Sequence, residues 1–401
     1  MQLSIRCVIV GLIGLGVLLV DVWAIQRNVV QPRGTSFDFY LVWRGVLEFG
    51  RGGNPYTENV AQQIQQGILG HLAAPNENQY YFVYPAYLAL LLLPIACLPF
   101  YEAVTLWLVL QQIFLVVAFG LLLHALDWLP ARIEMLVLIT LWIVLRYTWI
   151  TLILAQTSIA ILTLLALVVY ALKRGALILS AIALVLMTIK PQLAFLPTLG
   201  WLGMMVAQRQ WHALSIFGFA YLTMFIAPFF VLGNWLGDWI HTLTLYVGYN
   251  RTHTPLTWLA SFLVEPLASA LVAVGVALGL GYLLWLARHS TNGIMLLSFG
   301  ILLTLLIVPL PSVYDLVLAL FPWLVCWYAL QGLWSMRLLL AALPLVSWAM
   351  ITLVPAALEF WGWNFDVVMA DKLLMSVPLL MALIYAQYYT RDGANGKAVS
   401  K

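Results

Sequence analysis

Charge is what this chain lacks. Only 8% of its 401 residues are Asp, Glu, Lys or Arg, while 64% are hydrophobic. Soluble domains carry roughly 25% charged residues, so the soluble classes are excluded. Cysteine is scarce as well. Cys7, Cys97 and Cys326 all lie in apolar runs without pairing or metal-ligand spacing, which leaves them as small buried hydrophobes. No Gly-x-Gly-x-x-Gly turn occurs in a strand-turn-helix context, and no soluble Rossmann-like domain is present to hold a nucleotide sugar. Zinc-ligand spacing, internal repeats and low-complexity blocks are all missing. A net charge of +3 says little about partners, and no nucleic-acid partner is expected.

What the chain has instead is a succession of apolar runs of about 20 residues, the length a helix needs to cross hydrocarbon. The expected fold is all-α, a polytopic transmembrane helical bundle forming a single integral membrane domain over residues 1–401. The first run, Cys7 to Ile25, follows Arg6 and has no small-x-small pattern after it, so it reads as a retained span. The one substantial hydrophilic stretch is 27–81. Within it Phe39, Val42, Trp43, Val46, Leu47 and Phe49 recur at helical spacing, which suggests an interfacial helix over 38–50.

Short basic loops at Lys173-Arg174, Arg209, Arg288-His289 and Arg337, together with the tail 391–401, are placed in the cytoplasm by the positive-inside rule. In the first half, Arg27, Arg33, Arg44 and Arg51 follow the first run, and that charge count favours an outer N-terminus. An inner N-terminus requires segment 82–99, broken by Pro85, Pro94 and Pro99, to dip in and return. The second arrangement, with about 12 spans and 27–81 as the first outer loop, is adopted because it gathers the chemistry-bearing residues on one face.

Those residues stand out against an apolar background, where ionisable groups are expensive and usually functional. Lys190 ends the run Ala176 to Ile189 and precedes the helix breaker Pro191. It suits an anionic phosphate as a point charge, or it snorkels at a helix end. Asp38, in "TSFDFY", is an N-cap, a reactive carboxylate, or both, since capping holds a carboxylate in place. Arg251 and His253 lie in "YNRTHTPLTW", Asp315 in "PLPSVYD" and Gln156 in "AQTS". On one face these supply cations, two carboxylates and many aromatics. Sugar transfer from a lipid phosphate needs that set: a base for the acceptor hydroxyl, and positive charge where the leaving phosphate develops its own.

Taken in order along the chain, these residues resemble the polytopic GT-C glycosyltransferases, and within them family 87. Asp38-Phe39-Tyr40 is similar to the family's aspartate after the first span, Gly53-Asn54-Pro55-Tyr56 to its G-x-NPY turn, and Tyr81 to Pro85 to its aromatic-YP element. Ala155-Gln156 stands where the family has Gly-Gln, Lys190-Pro191 at its KP element, and Pro311 to Asp315 at its last motif, with Val313-Tyr314-Asp315 where histidine is common. The resemblance implies an inverting, mannosyltransferase-like enzyme of the plasma membrane, working at its outer face. It takes a hexose from a polyprenyl-phosphate sugar donor to a lipid or glycan acceptor. Asp38 becomes the general base; Lys190, Arg251 and His253 hold the donor phosphate; Tyr40, Arg44, Tyr84, Gln156 and Asp315 bind substrate. No cofactor is implied, and the sequence does not decide a divalent-cation requirement. A transporter or flippase of lipid-linked saccharides is the alternative; it would use the same cations and aromatics without a base.

Overall fold

The structure is a computed structural model describing Gly16 and residues 18–75, 77–249, 254–290, 292–361 and 367–399; of 249, 350–361, 367–369 and 388–399 it describes the backbone. Half of the first expected span, 7–26, falls outside these residues. No strand occurs among the described residues. The principal helices are α1 (Phe39–Gly50), α2 (Glu58–Leu69), α3 (Leu88–Ala96), α4 (Phe100–Ala125), α5 (Arg132–Val144), α6 (Arg146–Ile153), α7 (Ser158–Lys173), α8 (Leu177–Met187) and α9 (Pro191–Ala207). They continue with α10 (Trp211–Ile226), α11 (Trp235–Tyr249), α12 (Pro255–Ala260), α13 (Leu267–His289), α14 (Gly293–Ile307), α15 (Leu320–Ala329), α16 (Trp334–Trp361) and α17 (Val367–Val399). The chain divides into two compact units.

Among the described residues, four stretches are long and apolar enough to cross a membrane: Phe100–Ala125, Trp211–Leu232, Leu267–His289 and Ala370–Gln387. The pair α5 and α6, bent by 48°, makes a fifth if taken as one broken span. Their outward surface is hydrocarbon: Val116 is 72% exposed, Phe219 73% and Leu278 69%. Soluble proteins rarely expose such continuous apolar area, whereas lipid chains cover it at no cost. The remaining crossings of the expected twelve would fall to shorter apolar helices such as α7, α8, α9 and α14. The shortness has a local cause. Between α8 and α9 the helix stops at Met187 and restarts with Pro191 in its first turn, where the missing N–H is harmless.

The first unit comprises residues to Phe114, Leu152–Gln156 and Met224–Asn250. In it, α1 turns Phe39, Val42, Val46 and Phe49 inward at three- and four-residue spacing, packing on α3. Phe39 stacks on Trp107 at 5.3 Å. Gly45 on the same helix lets the Phe82 ring lie where a Cβ would stand. Segment 82–99 yields only the nine-residue α3. At 1.5 Å per residue it spans about 14 Å, half of a bilayer core.

The second unit holds Leu115–Thr151, Thr157–Thr223 and the chain from Arg251 on. Its centre is α14, buried on nearly every side, with α9 and α13 packed on it or on each other. A 3₁₀ turn, Val313–Ala319, leads into α15, itself buried from Leu320 to Trp327. Helix α17 continues to Val399, through the stretch 391–399 expected as tail.

Candidate active site

In the first unit the segment Ile153 to Gln156 is fixed by its own carbonyls. That of Ile153 accepts from Arg33 Nη1 (2.5 Å), that of Leu154 from the Asp38 N–H (3.1 Å), and that of Ala155 from the Trp107 indole (2.9 Å). The Gln156 carbonyl accepts from the Gln111 amide (2.9 Å) once that amide is oriented to satisfy both neighbours. Four satisfied acceptors in succession, each contributing about 0.5–1.5 kcal/mol net, leave this turn little freedom. Ala155 lies at φ 54°, the left-handed region that favours glycine. That conformation gives a physical reason for glycine at this place in the family motif.

The turn aims the Gln156 side chain at Asp38. Its Nε2 donates to Asp38 Oδ2 at 2.6 Å, and its Oε1 accepts from the Tyr84 hydroxyl at 3.4 Å. Asp38 occupies the cap position of α1, yet its side chain makes no capping hydrogen bond there. Of the two readings open for this residue in the sequence, the carboxylate is used for Gln156. Asp38 also acts on its surroundings: its charge counters the lowering of the Arg33 guanidinium by burial, and adds to the burial that raises the Tyr80 phenol.

Tyr84, in the Tyr81 to Pro85 element, is braced by the Asn54-Pro55-Tyr56 motif and by Trp239. Tyr56 donates its hydroxyl to the Tyr84 carbonyl (2.8 Å), and the Trp239 indole donates to the Val83 carbonyl (2.9 Å). Burial pushes the Tyr56 phenol well above its usual range, with the neighbouring Tyr87 phenol and Asp238 carboxylate adding to it, so it remains a donor. Asn54 Oδ1 accepts from the Tyr56 N–H (3.0 Å) while its Nδ2 donates to Asp238 Oδ2 (2.7 Å). Thus Asn54-Pro55-Tyr56 holds Tyr84, Tyr84 contacts Gln156, and Gln156 holds Asp38. Tyr40 packs edge-on against Phe100 at 4.9 Å and closes over Gly67, where a Cβ would collide with its ring. Arg44 pairs with Glu48 at 3.1 Å and donates to Gln63, which ties α1 to α2.

The second unit contains a separate cluster. Lys190 Nζ lies 3.1 Å from Asp315 Oδ1 and donates to Ser158 Oγ at 2.9 Å; Ser158 in turn donates to the same Asp315 oxygen at 2.6 Å. The other carboxylate oxygen accepts from the Ser312 N–H (2.8 Å), closing a capping box on the 3₁₀ turn. Lys190 stands over the Tyr314 ring at 4.8 Å. Lys190 and Asp315 are both almost wholly buried, so Asp315 offsets the lysine's charge within the protein. Arg251 and His253 lie outside the described residues.

Three sets of partners escape a reading of the sequence. Ser158 has a signal, standing two residues past Gln156, but a serine in an apolar helix looks like any helix-capping serine. Asp238 looks like a solvated first-turn acid. Arg146, Asp371 and Lys372 are charged residues within apolar runs, the clearest signal of the three. Among the described residues no three His, Cys, Asp or Glu side chains gather as metal ligands.

Among the described residues the chain is thus all-helical, with several helices apolar enough to cross a membrane, and it buries organised polar clusters around Asp38 and around Lys190. A sequence profile of glycosyltransferase family 87 matches residues 82–311, more than half of its length, and the chain belongs to that family. It is accordingly a glycosyltransferase. The match includes Tyr84, Gln156 and Lys190; Asp38 and Asn54 precede it and Asp315 follows. No curated protein matches the chain.

Proposed function

We propose that this protein moves a hexose, mannose-like, from a polyprenyl-phosphate donor to a lipid or glycan acceptor at the outer face of the plasma membrane, with inversion. The observation that carries the reading is the Asp38 carboxylate, unused as a cap and held by Gln156 at 2.6 Å. Asp38 takes the acceptor's hydroxyl proton as that oxygen forms its bond to the anomeric carbon. The anomeric carbon–oxygen bond to phosphate breaks on the opposite side, and the polyprenyl phosphate leaves with the electron pair. Gln156 is a neutral amide, so it orients the base without competing for the proton. Lys190, with Arg251 and His253, supplies positive charge for the leaving phosphate. Tyr40, Arg44, Tyr84 and Asp315 contribute to substrate binding.

The test is a transfer assay with purified protein in lipid nanodiscs and a synthetic polyprenyl-phosphate mannose. The reading expects release of polyprenyl phosphate and a glycosidic product of inverted anomeric configuration. Use of a nucleotide sugar instead, or retention of configuration, overturns it. The outer-face assignment has its own check, in a background with the native cysteines replaced by serine. Asn59→Cys, on the exposed side of α2, should react with an impermeant maleimide in intact cells and Arg174→Cys should not; the reverse pattern contradicts it.

A further inference from the structure

The most isolated charges in the second unit are not in any motif. Asp371 and Lys372, consecutive on α17, are 1% and 0% exposed, inside the stretch Ala370–Gln387 that is apolar enough to cross a membrane. Arg146, at the start of α6, is 2% exposed. Its guanidinium pairs with the Asp371 carboxylate and stands over the Tyr147 ring at 5.0 Å. Burying such groups in hydrocarbon is expensive, and packing alone gives no reason for three of them.

Their neighbours give one. Lys372 Nζ donates to the Pro311 carbonyl at 2.6 Å. Thr151, one turn past Tyr147 on α6, donates its hydroxyl to the Tyr314 carbonyl at 2.9 Å and to the Tyr147 carbonyl at 2.7 Å. Pro311 and Tyr314 bracket the turn whose next residue is Asp315, and Leu310 before it is held at φ 80°. The Arg146–Asp371 pair joins α6 to α17, and from those two helices Thr151 and Lys372 grip the turn at both ends. Backbone carbonyls of an irregular turn lack the partners a helix ladder would supply, so they need such donors.

We infer that Asp371 and Lys372, with Arg146 and Thr151, are positioning residues that fix the 311–315 turn and so set Asp315 against Lys190 and Ser158. All but Arg146 and Thr151 lie beyond the stretch matched to the family, so the C-terminal helix completes a cluster begun within it. The functional half of this inference rests on the proposed role of Lys190; the structural half does not.

The experiment uses full-length protein in nanodiscs with two readouts. Hydrogen exchange over 309–319 reads the turn directly. Lys372→Met keeps the stem and removes the donor; exchange there should rise at least tenfold while α7 and α14 keep their protection. Lys372→Arg retains a donor and should restore most of that protection. Arg146→Met/Asp371→Leu, which removes the pair together, keeps the fold testable if single variants fail to express, and should loosen the same turn. The second readout is donor KM against kcat. Lys372→Met should raise donor KM about tenfold with kcat changed less than threefold, whereas a merely structural residue would lower the active fraction at unchanged KM. Unchanged exchange at 309–319 in both Lys372→Met and the double variant overturns the inference. Looser exchange with unchanged KM keeps the clamp, removes its tie to donor binding, and counts against the role of Lys190 instead.

Discussion

Gln156 donates its side-chain amide to Asp38 at 2.6 Å, from a turn in which each backbone carbonyl between residues 153 and 156 is occupied. A carboxylate held this way has a defined direction, and displacement of a reacting group by about 1 Å can lower a rate a hundredfold. Gln156→Met preserves length and removes both polar atoms. Turnover should fall about 10- to 100-fold, with donor KM changed little and expression retained. A parent-like kcat would mean that the amide only fills space.

Lys190 and Asp315 separate two explanations for one ion pair. A buried pair left half-broken is destabilised by about 3–5 kcal/mol, while replacing both partners by apolar groups of similar size is often neutral. If the pair is only a strut, Lys190→Met/Asp315→Leu should recover what Lys190→Met loses in thermal stability and in activity together. If Lys190 meets the donor phosphate, the double variant recovers stability alone, and donor use stays at least tenfold down. The second outcome is the one expected. Activity regained in the double variant would remove Lys190 from the phosphate site.

Tyr56 gives a pH signature. Its phenol is raised above the ordinary value of 10.0, chiefly by burial. The folded state therefore holds this proton more tightly than the unfolded state. The contribution is complete below pH 10.0 and is lost as pH rises from there through the folded value. Tyr56→Phe removes that loss, so its unfolding midpoint should decline less steeply than the parent's above about pH 10. Identical alkaline slopes in parallel melts would show that Tyr56 ionises in the folded state as it does in the unfolded.

Ala155 is strained but tolerable. A left-handed backbone costs a non-glycine residue about 1–2 kcal/mol. Glycine would relieve that, yet it gives up a buried methyl group worth about 0.8 kcal/mol and adds about 0.4–1 kcal/mol of unfolded-state entropy. The terms nearly cancel. Ala155→Gly should leave the melting temperature within a few degrees and keep activity, whereas Ala155→Val, branched at a positive φ, should lose both.

Much of the first unit is legible in the sequence. The three- and four-residue spacing of Phe39, Val42, Val46 and Phe49 marks α1, and it is this stripe that is buried. The break at Lys190-Pro191 is readable because proline fixes where a helix can begin. What the spacing cannot show is the partner of each polar group. Lys190 reads as a cation offered to a ligand, and the fold sets it on Asp315 and Ser158, residues 125 and 32 positions away. Periodicity identifies a face, and only tertiary packing decides which distant side chain meets it. Asp371 and Lys372 stand out in the sequence as charges in an apolar run, but nothing in their spacing shows that Arg146 and the Pro311 carbonyl are their partners.

Asp38→Asn tests the central claim most directly, measured as polyprenyl phosphate released per minute from a synthetic donor by purified parent and variant in the same nanodiscs. Asparagine keeps the size and can still meet Gln156, so the fold and donor binding should survive. Without a proton acceptor the rate should drop by about 10²–10⁴-fold, and Asp38→Glu should retain part of it. Release at the parent rate from a folded, donor-binding Asp38→Asn protein would contradict the assignment of Asp38 as the base.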